Sequence, residues 1–215
     1  MARQLRAEQT RATIITATAD LFDRQGYENT SLSDIVAHAH VTKGALYFHF
    51  AAKEDLAHAI MELQSRTSRR LAADLDTRGY SPLESLMRLT FGIARLSVEG
   101  PILRAGLRLA NEGHEVRPPL THPYTEWMEL ASTRLSRAMD TADLHPDVDV
   151  DAVSHALVAS FVGTDVVGRT LDALDLRPRR VAEMWRLMIR SLVPVTRRAR
   201  YVALAAGLER EVGRS

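Results

Sequence analysis

The stretch Thr30–Phe50, TSLSDIVAHAHVTKGALYFHF, holds two short helical patterns that meet at a three-residue corner. Ser31 is a good N-cap and Asp34 stands at the reciprocal position of a capping box, so a helix is expected to start there. Leu32, Ile35 and Val36 give it an apolar face, and the pattern breaks at Ala39-His40-Val41. Thr42 is a second N-cap, opening a helix over Lys43-Gly44-Ala45-Leu46-Tyr47-Phe48. Two helices joined by so tight a corner form a helix-turn-helix, whose second helix fits the major groove of DNA.

The composition of that second helix separates a DNA reader from an ordinary helical corner. Gly44 and Ala45 leave its first turn nearly bare, so backbone can approach a phosphate or a base edge. Thr42 offers a hydroxyl, and Lys43 is a donor for a guanine edge or the DNA backbone. Tyr47 lies four residues after Lys43 on the same face, while Leu46 and Phe50 form the opposite, core-facing stripe.

The run TKGALYFHF followed by AAKEDL resembles the recognition helix and following helix of the tetracycline-repressor-like family. The wider run over residues 37–60 is similar to the γ-butyrolactone receptor branch found in antibiotic-producing actinobacteria. The match is specific over the first sixty-odd residues and rests on length and scattered features beyond them. It implies a repressor that binds a palindromic operator as a homodimer and is released by a small effector, a γ-butyrolactone or similar signal. A pseudo-receptor, or a repressor answering antibiotics or other apolar compounds, has the same fold and stays open. One departure concerns the corner, where the family usually has Gly and this chain has His40. The turn needs positive φ, which His tolerates less well than Gly, so a stability cost is expected there.

Composition bounds the remainder. The chain has 215 residues, 46% hydrophobic, enough for one globular unit or two small ones. No apolar run reads as long enough to cross a bilayer, no signal peptide is seen, and Cys is absent, which fits a cytoplasmic protein without a membrane partner. A net charge of +1 does not advertise a nucleic-acid binder, and residues 1–55 hold six basic against seven acidic side chains. Electrostatic attraction to DNA must therefore come from placement. Only Lys43 and Lys53 among the 28 basic residues are lysine, and both fall where the motif places DNA contacts.

Taken in order, residues 1–7 read as an arm whose Arg3 and Arg6 either reach a neighbouring minor groove or fray in solvent. Ala7–Arg24 reads as the first helix, ended by Gly26. Lys53–Thr77 keeps a helical period with Gln64 among its apolar positions. Ser81-Pro82-Leu83-Glu84 combines an N-cap, a first-turn Pro and a capping-box Glu, starting a helix that runs to about Val98. Ile102–Ala110 is a shorter helix, His114–Pro123 a proline-broken loop, and Tyr124–Ala142 helix again. Asp149 or Asp151 caps a helix that is apolar almost all round through Val153–Val167, a pattern of burial in the core or in a partner. Pro178 starts another helix, and Val195–Val212 forms the last.

No glycine-rich phosphate loop, nucleophile elbow or zinc-binding helix motif is present. His38 and His40 cannot share a helix face, and no catalytic residue, metal site or prosthetic group is expected; a small helical enzyme remains a distant alternative. The reading is an all-α chain with an N-terminal three-helix helix-turn-helix DNA-binding domain over residues 1–52. A larger C-terminal helical domain for effector binding and dimerisation follows over 53–215. Operator contacts are expected from Arg3, Arg6, Thr42, Lys43, Gly44, Tyr47, Phe48 and Lys53. In the receptors that the chain resembles, a Trp in this region lines the pocket, and Trp127 stands at the matching place. Phe91, Phe161 and Trp185 are gathered around it as apolar wall, with Gln64 and Thr164 as polar anchors. Two recognition helices about 34 Å apart require a symmetric dimer. The interface candidates are the Val153–Val167 helix and the last helix, through Tyr201, Leu204, Ala205 and Leu208.

Overall fold

A computed structural model describes residues 1–112, 116 and 123–213, without the side chains of Ala2 and Arg3. Among these residues the chain is helical throughout. The elements are α1 (Ala2–Gln25), α2 (Leu32–His38), α3 (Lys43–His49), α4 (Lys53–Thr77), α5 (Pro82–Glu99), α6 (Pro101–Glu112), α7 (Pro123–Asp140), α8 (Val150–Thr170), α9 (Arg177–Leu192) and α10 (Val195–Val212), with a 3-10 turn at Leu174–Leu176 before α9. Most of the expected loop at His114–Pro123 lies outside the described residues.

Two compact units emerge: residues 1–66 with 99–122, and residues 67–98 with 123–215. This division differs from the expected boundary after residue 52. The reason is α6, whose Ala105 and Leu109 join the core of the first unit. Arg104 on α6 pairs with Asp23 of α1 at 2.5 Å, and Arg108 Nη1 donates to the Asp23 carbonyl at 2.8 Å. Such pairs join residues some eighty positions apart, so no local pattern announces them.

The first unit is built around Ile14, Phe22, Ile35, Leu46, Phe50, Leu56 and Ile60, all buried. Ser31 and Asp34 form the expected capping box, with Asp34 Oδ2 accepting from Ser31 N–H at 2.9 Å and Ser31 Oγ accepting from Asp34 N–H at 3.1 Å. Helix α2 closes in a Schellman motif: Val41 N–H reaches the Val36 carbonyl and His40 N–H the Ala37 carbonyl, both at 3.3 Å. His40 takes the left-handed position at φ +52°, where glycine is preferred. The N-terminal arm does not stay extended. Its Ala-Arg-Gln-Leu-Arg-Ala-Glu run is rich in good helix formers with no breaker, and α1 continues back to Ala2. Gly26 closes α1 at φ +85°, and a Cβ there would lie 2.7 Å from Arg108 Nη2.

Buried arginines organise the second unit. Arg134 on α7 donates to the Ala72 carbonyl at 3.1 Å, to Asp76 at 2.9 Å and to Ser85 at 3.3 Å, tying α7 to the end of α4 and the start of α5. Arg177 is held by Asp165 of α8 and Ser97 of α5, and Arg169 reaches the same Asp165 at 2.9 Å. Tyr201 of α10 meets Ser81 Oγ at 3.0 Å. Burial, then the nearby Asp143 carboxylate, push its phenol up to about 12, against a hydrogen bond from Ser81 that lowers it. Two further helix ends use Schellman motifs without glycine, at Ala142 (φ +53°) and Asp172 (φ +51°).

Helix α8 corrects one expectation: by length and composition it is apolar enough to cross a bilayer, and only 17% of its most apolar window is buried. Its buried positions, Ser154, Leu157, Phe161, Asp165 and Gly168, recur every three or four residues and form a single stripe. The opposite face, with Ala152, His155, Ala156, Ala159, Val166 and Val167, is exposed. The last helix corrects another. Tyr201, Ala205 and Leu208 are buried within the chain, so they are core residues; Leu204 is half-buried, and the large apolar side chains exposed on α10 are Val195 and Val202.

Candidate nucleic-acid interface and effector residues

The recognition element is set by which side chains of α2 and α3 are buried. Ile35 and Leu46 are fully buried and Phe50 nearly so, which turns the opposite face of α3 to solvent. Thr42, Lys43, Gly44, Tyr47 and Phe48 are all exposed, Phe48 to 77%, an unusual position for a large apolar ring unless something covers it. Lys43 Nζ lies 6.0 Å from the Tyr47 ring centroid, so the cation and the aromatic ring share one face. Thr42 Oγ1 accepts from Ala45 N–H at 3.1 Å, which caps α3 and leaves the hydroxyl proton to donate outward.

The charge balance of residues 1–55 resolves through placement. Asp20 pairs with Arg24 at 3.1 Å and with His38 at 2.8 Å, and Asp23 pairs with Arg104. Asp34 and Asp55 are spent on helix starts, Asp55 accepting from Ala51 and Ala52 N–H at 2.9 and 3.0 Å. Helix α3 itself, KGALYFH, carries no carboxylate. The four aspartates of this segment are thus drawn into caps and pairs while Lys43 stands exposed on the recognition face.

The remaining expected contacts are placed variously. Arg6 is exposed on α1, and the Arg3 side chain lies outside the described residues. Lys53 opens α4, but its Nζ is directed to the Tyr27 carbonyl at 2.8 Å and sits 4.2 Å from the Tyr27 ring centroid. Arg11, not among the expected contacts, holds its guanidinium 5.1 Å from the Phe50 ring at the end of α3. Its signal in sequence was faint, since nothing local links α1 to a residue thirty-nine positions away.

Of the expected effector residues, Gln64 belongs to the first unit, and the other five to the second. Gln64 is buried and packs on α6 at Gly106, where a Cβ would lie 2.7 Å from its Cγ. Phe91 and Trp185 are fully buried, and Trp185 Nε1 donates to Thr90 at 2.8 Å, a satisfied core arrangement. Trp127 is half-buried on α7, with Tyr124 edge-on at 5.5 Å. Phe161 is buried on α8, and Thr164 donates to the Phe161 carbonyl at 2.7 Å. Burial first, then the charge of Asp165, push the Tyr124 phenol up.

An all-α chain with a capped helix-turn-helix, a cationic and aromatic recognition face and a second helical unit defines a helix-turn-helix transcriptional regulator. Comparison with known proteins makes the class specific. Residues 14–60 match the model of bacterial regulatory proteins of the tetR family, and residues 80–194 match the tetracyclin repressor-like C-terminal domain. The chain belongs to the TetR family, a family of regulators and not of enzymes. It is 38% identical over 193 residues to the A-factor receptor protein of Streptomyces griseus, covering 89% of this chain and 67% of that protein. A crystal structure of a γ-butyrolactone receptor, described as ArpA-like, is 69% identical over 96% of this chain and 99% of its own, with a TM-score of 0.87. CprB from Streptomyces coelicolor in complex with its operator sequence is 71% identical over 95% of this chain and 98% of its own, with a TM-score of 0.88.

Proposed function

We propose that the protein is a dimeric repressor that binds a palindromic operator through α3 and is released by a small effector of the γ-butyrolactone type. The observation that carries this reading is the exposed Lys43, Tyr47 and Phe48 face on a helix without carboxylates, in a chain 71% identical to the operator-bound CprB. Lys43 is the base-reading or phosphate donor, Tyr47 and Phe48 cover thymine methyls or sugar, and Thr42 and Gly44 set the approach to the phosphates. Arg6 and Arg3 lie one helical turn apart at the start of α1 and supply further phosphate contacts.

The exposed face of α8, with Val195 and Val202 of α10 and Leu187 of α9, supports a second copy of the chain as partner. An apolar helix face left open in the single chain is covered at low cost by its own symmetry mate. Trp127, half-buried where a ligand can still reach it, is the proposed centre of the effector site, with Phe161, Thr164, Phe91 and Trp185 of the same unit as its candidate lining. The ligand must favour the DNA-incompetent form, because equal affinity for both forms shifts nothing.

The test is fluorescence anisotropy with a labelled duplex from the region upstream of its own gene, titrated with a γ-butyrolactone. The wild-type protein is expected to bind and to be released, and Trp127→Ala to bind with unchanged affinity and resist release. Normal release of Trp127→Ala would place the pocket elsewhere. Where Trp127→Ala lowers operator affinity through instability, Trp127→Phe is the variant to compare.

A further inference from the structure

Lys53 stands at the first position of α4, where the helix dipole disfavours a cation, and the motif pattern suggests a phosphate as its partner. The structure gives its ammonium an internal occupation. Nζ donates to the Tyr27 carbonyl at 2.8 Å, lies 3.5 Å from the Glu28 carbonyl, and sits over the Tyr27 ring at 4.2 Å from its centroid. An ammonium has three donors and no acceptor, and two carbonyls with an aromatic face satisfy most of its surroundings. The ring is itself fixed: Tyr27 is 5% exposed and packs edge-on against Phe22 at 5.4 Å. Burial and the nearby Glu54 carboxylate push its phenol up to about 12, which keeps the ring neutral.

The segment that Lys53 grips is the connection from α1 to the helix-turn-helix. Tyr27 N–H reaches Glu112 of α6 at 3.4 Å from the other side. Within the connection Thr30 Oγ1 donates to the Gly26 carbonyl at 2.8 Å, and Gln25 donates to the Asn29 carbonyl at 3.0 Å. Ser31, the N-cap of α2, follows directly. The place where α2 begins, and with it the aim of α3, is therefore set by a loop whose carbonyls point at Lys53.

On the reading that α3 binds DNA, we infer that Lys53 is a positioning residue that clamps the Tyr27–Glu28 turn to the start of α4, and not a phosphate ligand. A clamp and a phosphate contact differ in their salt dependence. A lost phosphate contact lowers the slope of log affinity against log salt by about one per bound protomer, whereas a lost clamp weakens binding without changing the slope.

The experiment compares Lys53→Met, which keeps the stem and removes the charge, with wild type on the same upstream duplex over a range of salt. Amide hydrogen exchange of residues 26–31 is followed in the protein without DNA. The clamp predicts about tenfold weaker binding, an unchanged slope and faster exchange across 26–31. Lys53→Gln, which retains an N–H donor, is expected to recover part of the affinity with the slope still unchanged. A reduced slope with unaltered exchange in the free protein would overturn the inference and make Lys53 a phosphate ligand; so would wild-type affinity in Lys53→Met. Failure of the wild-type protein to bind any upstream duplex would remove the DNA-binding reading instead. The exchange arm, measured without DNA, would still decide the clamp.

Discussion

Among the described residues three helix ends place a residue other than glycine in the left-handed conformation, and two of them give a quantitative test of how the chain stops its helices. His40 closes α2 at φ +52° and Ala142 closes α7 at φ +53°, each at the same position of a Schellman motif. The left-handed conformation costs an L-residue roughly 1–2 kcal/mol, and glycine avoids it while losing about 0.5–1 kcal/mol more in chain entropy on folding. Both side chains are exposed, so their removal forfeits little packing. Histidine tolerates the conformation better than alanine does. Ala142→Gly is therefore expected to stabilise by about 1 kcal/mol and His40→Gly by about 0.5 kcal/mol, midpoint increases of roughly 1–4 °C for a chain of this size. Thermal denaturation followed by circular dichroism reads the midpoint shifts, and urea denaturation the free energies, at fixed protein concentration. A lower midpoint for either variant, or a larger gain for His40→Gly than for Ala142→Gly, would refute the reasoning. Operator affinity of His40→Gly should stay within about twofold of wild type if the corner keeps its geometry.

Three other outcomes follow from the described contacts. Lys43→Ala should cost about 1–3 kcal/mol of operator binding and relax preference at one base position if Lys43 reads a base edge; unchanged affinity at moderate salt removes it from the interface. Arg177→Met leaves Asp165 buried with Arg169 as its remaining partner and should destabilise by about 3 kcal/mol, whereas adding Asp165→Leu should recover part of the loss; a double variant worse than the single one would contradict this. Tyr27 and Tyr201 have pKa values raised to about 12 in the folded protein against 10 unfolded, so their contribution is intact below pH 10 and is lost as pH rises towards 12. Denaturation midpoints should fall over that window, and Tyr201→Phe should flatten the fall.

Much of the first unit was legible because its signals are local. Ser31, Asp34 and Thr42 announce their helices through caps that act over three residues, and Leu46 and Phe50 are spaced to share a face. The start of α1 was missed by five residues, because Arg3 and Arg6 read as an arm although nothing between Ala2 and Ala7 breaks a helix. The place of α6 was illegible because its bonds to Asp23 and Tyr27 span eighty positions. The same holds for the burial of Arg134 and Arg177, whose partners Asp76 and Ser97 lie 58 and 80 positions away. Tyr201, Ala205 and Leu208 show the limit of periodicity: a helical stripe marks an apolar face but does not say whether the same chain or a second copy covers it. Lys53 shows another, since the motif marks it as a DNA contact and only the fold reveals the carbonyls at its ammonium.

The central claim is that two copies of this chain present α3 symmetrically to one operator. Footprinting of the wild-type protein on its own upstream region, with the stoichiometry of the complex fixed by sedimentation, tests it directly. The account predicts protection of a two-fold symmetric site with half-sites one helical turn, about 34 Å, or a whole multiple of it apart, bound by an even number of chains and cleared by the effector. Protection of an asymmetric site by a single chain, or no protection at any salt concentration, would contradict it.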